Sequence, residues 1–254
     1  MRRGVADSPA TPLMDHLIEL RSRLLRIVTV IGLGLLLLLP FARELFTLLA
    51  EPLARHLPEE SSLIATEVAS PLLTPFKMAL VGAVFLTIPH TLYQVWAFIA
   101  PGLYQQEKRL VTPLLISSSL LFYLGAAFAW FVVFPLIFGF FVAIAPEGVA
   151  VMTDIRHYLN FVLALFLAFG LAFQVPVAIV LMVRAGLVTP AALKKKRPYV
   201  LVGTFVVGML LTPPDIISQT LLAVPVYLLF ELGLIMAYWL VPGIKEVEAQ
   251  RGER

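Results

Sequence analysis

Two glutamates set among basic residues are the groups in this chain best placed for chemistry with a cation. Glu19 stands in Glu19-Leu20-Arg21-Ser22-Arg23 and Glu107 in Glu107-Lys108-Arg109, and each stretch adjoins a long apolar run. If those runs cross a membrane, both acids lie on the same side of it, at the lipid boundary, offering two carboxylates to a positively charged ligand. The competing reading is local. Glu19 and Arg23 are spaced i,i+4, a helical surface pair worth about 0.3–0.5 kcal/mol, and Glu107 can simply neutralise Lys108 and Arg109. The residues alone favour ordinary pairing.

Other polar groups lie in or beside apolar sequence. Gln174 falls in Phe173-Gln174-Val175-Pro176. Its amide needs a partner away from water, and an interhelical hydrogen bond is the usual one. Glu231 sits within the last apolar run, where an ionisable group marks a candidate site. Asp215 follows Thr212-Pro213-Pro214 and is placed to cap the final helix or to act at a site. Phe98 by itself reads as packing, while Tyr93 and Trp96 suit an interfacial aromatic belt. His16 with Glu19 does not form a zinc motif, because a second histidine on the same helix face is missing. There is no nucleotide-binding loop, GxSxG or metal-ligand cluster, and His16, His56, His90 and His157 are scattered. The expectation is a protein that is not an enzyme and carries no cofactor.

The elements that must position these groups follow from composition. The chain has 254 residues, 60% hydrophobic and 14% charged, with mean hydropathy +0.93. Soluble domains carry about 25% charged residues, so this is the composition of a polytopic membrane protein. Cysteine is absent, which removes disulfides and thiolate chemistry. A net charge of +3 reflects loop topology in such a chain rather than nucleic-acid binding. Candidate spans are 25–46, 73–98, 111–135, 158–183, 199–212 and 217–240, within one transmembrane domain, 1–254. Prolines 40, 89, 135, 176 and 225 fall in or near them, so kinks are expected. With the N-terminus inside, 15 of the 19 Lys and Arg fall on inner segments, leaving Arg43, Arg55, Lys77 and Arg156 outside. That bias, with six spans, places both termini in the cytoplasm. Arg2-Arg3 is followed by polar residues and prolines and reads as a basic tail rather than a cleaved signal. Tyr199 to Leu211 is 13 residues, about 20 Å of helix. The fifth and sixth helices are therefore expected to be short, in thinned bilayer or beside a flooded concavity. The loop at about 47–72, with Glu51-Pro52, is expected to cover the outer face.

Four stretches together resemble the TatC family, the polytopic subunit of the twin-arginine protein translocase. They are His16 through Leu24, Tyr93 through Tyr104 with Glu107-Lys108-Arg109, Lys196-Arg197-Pro198-Tyr199-Val200, and Thr212 through Thr220. The resemblance covers nearly the whole chain apart from its tails. It implies an all-α integral membrane protein with six transmembrane helices, cup-shaped, in the cytoplasmic (inner) membrane. It implies that folded proteins bearing twin-arginine signal peptides dock on the inner face and that transport uses the proton-motive force. Glu19 and Glu107 correspond to the family's signal-contacting acids, Arg21 and Phe98 to important neighbours, and Pro52 and Asp215 to further positions of functional weight. The implied partners are the single-span TatA and TatB subunits, in a multi-subunit receptor complex, and membrane lipid. Family members often carry glutamate where this chain has Gln174, which cannot ionise near neutral pH. A guanidinium is expensive at mid-bilayer, about 2.5–3.5 kcal/mol on insertion scales, and a carboxylate can bind it bidentately. The resemblance thus turns the balance from local pairing to a site.

Two other readings remain at this stage. Gln174, Glu231 and the broken fifth-to-sixth connection would suit a small-solute transporter with a midplane site, although no internal repeat stands out. A structural assembly scaffold is the third.

Overall fold

A computed structural model describes residues 10–54, 63–67, 70–103, 111–144, 153–212 and 215–241. Among these residues the chain is helical apart from short connections and one pair of two-residue strands. Helix α1 spans Ala10–Leu38 and, after a 3-10 turn at Leu39–Phe41, continues as α2, Ala42–Ala54. Strand β1, Leu63–Ile64, precedes α3, Ser70–Leu86, and α4, Ile88–Leu103. Helix α5, Val111–Phe128, passes through a π-helical turn at Ala129–Val133 into α6, Phe134–Ala143. Strand β2, Thr153–Asp154, leads to α7, Ile155–Ala172, then α8, Val175–Arg184, and α9, Pro190–Lys195. The last two helices are α10, Arg197–Leu211, and α11, Ile216–Leu240.

Four continuous helical runs are long and apolar enough to cross a membrane: Met14–Leu49, Pro113–Ala143, Ile155–Arg184 and Ile216–Leu240. A fifth forms if Leu73–Leu86 and Ile88–Phe98, bent by 54°, make one span. The remaining apolar helix, α10, has 15 residues, about 22 Å of helix against a hydrocarbon core of roughly 30 Å. Its shortness was expected, but that of the sixth segment is corrected. Helix α11 runs for 25 residues, about 37 Å, because Glu231 is paired internally and does not end the helix. The first helix also begins well before residue 25, since the polar stretch around Glu19 is helical and continuous with the span.

Four of the five prolines sit at breaks. Pro40 lies in the 3-10 turn, Pro89 two residues after the Thr87 bend, Pro135 after the π turn, and Pro176 after the turn at Phe173–Gln174. A proline withholds its N–H from the carbonyl four residues earlier and its ring crowds that turn, so the disruption falls on its N-terminal side. At Pro89 the carbonyl left without its amide is that of Phe85, and the Tyr123 hydroxyl of α5 donates to it at 2.9 Å. Helix α11 runs unbroken through Pro225.

The interior is centred on α5 and α7. Phe122, Phe134 and Phe169 are essentially inaccessible, and Phe166 meets Phe85, Trp130 and Phe134 ring to ring. Two glycines let these helices close up. A Cβ on Gly125 would lie 2.5 Å from the Phe169 carbonyl oxygen, and one on Gly170 would lie 2.5 Å from the Phe122 ring. A second cluster joins α8 and α11 through Ile179, Val183, Phe230 and Leu234. Outward faces are apolar too, with Leu36, Phe131 and Trp239 exposed at 66%, 73% and 85%. Apolar exposure on this scale fits lipid as the surrounding solvent.

Candidate functional site

Glu19 lies in the polar N-terminal part of α1. Arg23, one turn on, donates from Nε at 2.9 Å and from Nη2 at 2.6 Å, both to Glu19 Oε1. Oε2 has no hydrogen bond among the described residues. Arg23 is further held by α4, where its Nη1 donates to Gln94 Oε1 at 3.3 Å. Gln94 is buried, and its amide lies 3.5 Å from His90 Nε2. Four residues beyond Gln94, Phe98 stacks on His16 with centroids 4.3 Å apart and planes 20° from parallel.

Helical spacing explains this cluster. His16, Glu19 and Arg23 fall at i, i+3 and i+7, and His90, Gln94 and Phe98 at i, i+4 and i+8, so each set shares one helix face. Where α1 and α4 meet, the faces join ring to ring at one level and guanidinium to amide at another. The result is a half-exposed carboxylate fixed through one oxygen, beside a stacked aromatic pair. That arrangement suits capture of a cation with adjoining apolar groups. Arg21, two residues from Glu19, is exposed on another part of α1 and does not join it. Glu107 lies outside the described residues, so its separation from Glu19 is not part of this geometry. Sequence reasoning missed His16, His90, Arg23 and Gln94 as a unit. The i,i+4,i+8 spacing of His90, Gln94 and Phe98 was the available signal.

The other predicted residues are dispersed. Asp215 is the N-cap of α11, its Oδ1 accepting from the Ser218 amide at 2.7 Å, while Oδ2 is buried without a hydrogen-bond partner. Gln174 sits between α7 and α8 and donates from Nε2 to the Ser118 carbonyl of α5 at 3.0 Å, an interhelical bond of the kind expected. Its Oε1 is buried and unpartnered. Pro52 belongs to the last turn of α2. Glu231 pairs with Arg197 at the start of α10, so its charge ties α10 to α11. Among the described residues no three His, Asp or Glu side chains are grouped to hold a metal ion.

At the far end of the bundle β1 and β2 pair in parallel, Leu63 with Thr153 and Ile64 with Asp154. Asp154 caps α7, accepting from the amides of Arg156 and His157, and also binds the amide and hydroxyl of Thr66. The Thr66 hydroxyl above all, then the surrounding amides, hold the Asp154 carboxyl well below the usual carboxylate range. This is a structural clasp between two connections.

A protein-family model described as Sec-independent protein translocase protein (TatC) matches residues 15–225. The Sec-independent protein translocase protein TatC of Escherichia coli (strain K12) is 59% identical over 230 residues, 91% of this chain and 89% of that protein. The protein of the same name from Aquifex aeolicus (strain VF5) is 36% identical over 239 residues, 93% of this chain and 99% of that one. Among solved structures, one described as the twin arginine translocase receptor TatC superposes with a TM-score of 0.81 at 37% identity, covering 88% of this chain and 98% of that one.

Proposed function

The chain belongs to the TatC family of Sec-independent protein translocase proteins, and from that premise we propose that it is the subunit that receives twin-arginine signal peptides. It is a multi-pass membrane protein of protein transport. In the proposed reading both termini face the cytoplasm, six helices cross the inner membrane, and TatA and TatB complete the receptor complex. Folded cargo then crosses at the expense of the proton-motive force, with no chemistry performed by this chain.

The observation that carries the reading is the partly exposed Glu19 carboxylate, held through Oε1 by Arg23, with no hydrogen bond to Oε2 among the described residues. A signal-peptide guanidinium approaching Oε2 meets a carboxylate already oriented, so little freedom is lost on binding. The charge of Arg23 opposes a second guanidinium beside it. Glu107 supplies the further carboxylate that a two-arginine ligand requires. Phe98, stacked on His16, offers an apolar surface to the hydrophobic part of the peptide, and the exposed Arg21 on the neighbouring surface contacts lipid phosphate or cargo. Gln174 serves helix packing rather than proton transfer, Asp215 sets the start of α11, and Pro52 shapes the end of α2. The small-solute alternative loses its main support, because the Glu231 carboxylate is bound to Arg197.

Site-specific photocrosslinking from positions 19 and 107 to a twin-arginine signal peptide tests this. Glu19→Ala and Glu107→Ala should weaken crosslinking while the protein still inserts, and Glu→Asp should do less harm than Glu→Gln. Unchanged crosslinking and export in the double variant would reject the site.

A further inference from the structure

At the end of the bundle opposite Glu19 lies a second polar site that the receptor reading does not use. The packing of α3 fixes its level. Gln94 of α4 meets Arg23, Ala83 of α3 packs against Gly34, and Gly82 packs against Leu38 and Leu45. The first two turns of α3 therefore lie beyond the end of α1, beside α2 and the β1–β2 clasp. A pocket of about 290 Å³ opens there between α3 and the start of α7.

Its polar wall consists of Ser70, Thr74 and Lys77, at i, i+4 and i+7 on one face of α3, with Arg156 opposite. Ser70 is 2% exposed, and its hydroxyl is buried with no hydrogen-bond partner. Lys77 donates to the Asn160 side chain of α7. An ammonium has three donors, and no acid pairs with this one among the described residues. Arg156 is bound to Glu67, which uses part of a five-donor guanidinium. The lining thus holds two cations against one acid. Its other wall is apolar and outward-facing, with Leu73, Phe76 and Leu80 at i, i+3 and i+7, all exposed. Lys77 stands seven residues into α3, about 10 Å from its start, and its contact with Asn160 uses one of three ammonium donors, leaving others to meet an anion.

We propose that this pocket binds an anionic phospholipid, with its phosphate at Lys77, Arg156 and the Ser70 hydroxyl and an acyl chain along Leu73, Phe76 and Leu80. The charge complementarity calls for an anion, and the apolar wall beside it, which reaches about one turn deeper than Lys77 at Leu80, calls for a tail. A soluble phosphate would leave that wall uncovered. The bound lipid would brace α3 against α7, two helices that the Lys77–Asn160 contact already joins.

The test uses the full chain in phosphatidylcholine nanodiscs doped with a photoactivatable phosphatidylglycerol, or with the matching phosphatidylcholine, followed by peptide mapping. The anionic probe should label the 70–80 segment preferentially. Lys77→Gln should reduce that labelling about fivefold, the factor equivalent to the ~1 kcal/mol assigned to one basic residue at a lipid surface, and Lys77→Arg should restore it. Labelling near the basic residues 194–197 should not change, which separates this pocket from general attraction of anionic lipid. Equal labelling by both probes, or none lost in Lys77→Gln, would overturn the proposal. Loss of label on adding millimolar inorganic phosphate at constant ionic strength would overturn it in favour of a free-anion site.

Discussion

Gln94 is the buried group through which α4 acts on Glu19, and its replacement by leucine tests the geometry of the site rather than its charge. Leucine keeps the volume and removes the acceptor for Arg23 Nη1. A hydrogen bond to a charged group contributes about 1.5–3 kcal/mol. This one is long, at 3.3 Å, and Arg23 keeps 18% of its side-chain surface exposed, so about 1 kcal/mol is the reasonable loss. If Gln94 matters to the ligand only by fixing Arg23, and Arg23 only by orienting Glu19, Gln94→Leu should weaken signal-peptide binding by about fivefold. Glu19→Gln removes the charge that meets the guanidinium and should weaken it by about tenfold or more. The double variant should bind no more weakly than Glu19→Gln alone, because the carboxylate that Gln94 helps to orient is already gone. The assay is anisotropy of a labelled twin-arginine signal peptide titrated with the chain in nanodiscs at fixed low salt, since exposed charge pairs are screened. Thermal melts of each variant check that the fold is intact. The reasoning fails if the two losses multiply, since independent effects add in free energy. It fails equally if Gln94→Leu leaves the affinity unchanged.

Three further outcomes follow from the same structure. Gly125→Ala should destabilise the protein by about 1–3 kcal/mol, because its new Cβ meets the Phe169 backbone, whereas Gly203→Ala, with nothing within 4 Å, should be neutral or stabilising; melts in detergent that rank them the other way would contradict the packing. Asp215→Ala should cost about 1 kcal/mol through loss of the α11 cap, while Asp215→Asn should retain most of it; equal losses in hydrogen exchange at the start of α11 would deny the capping role. The Asp154 carboxyl is held below its ordinary value of 3.8. Its contribution is therefore fully present above that value and is lost as pH falls through the lower, folded-state value. Protease protection of the β1–β2 clasp should weaken under strong acid but hold near neutrality, and Asp154→Asn should remove that pH dependence.

What could be read from the sequence, and what could not, follows from the solvent. In lipid both the interior and the exterior of the bundle are apolar, so α5 and α11 show no amphipathic stripe and hydropathy finds the helices without saying which way they face. The Glu19–Arg23 pair was legible because i,i+4 spacing suffices. Gln94 was not, because its partner is 71 residues away and its own apolar run says nothing of a neighbour. The shortness expected of the sixth helix failed for a related reason: Glu231 lies within α11 and is paired with Arg197, 34 residues away, so the helix runs on to Leu240. The breaks were easier, since a proline withholds an amide from its own helix whatever lies beside it, although α3 continues through Pro75 and α11 through Pro225. In a chain of this composition the rare polar and small residues carry the information that periodicity carries in soluble proteins. Gln94 and Gln174 mark faces that must find a partner, and Gly125 and Gly170 mark faces where another helix comes close. The Glu19 site follows the same logic: its place on α1 is set less by the apolar residues around it than by the one buried amide on α4 able to hold Arg23.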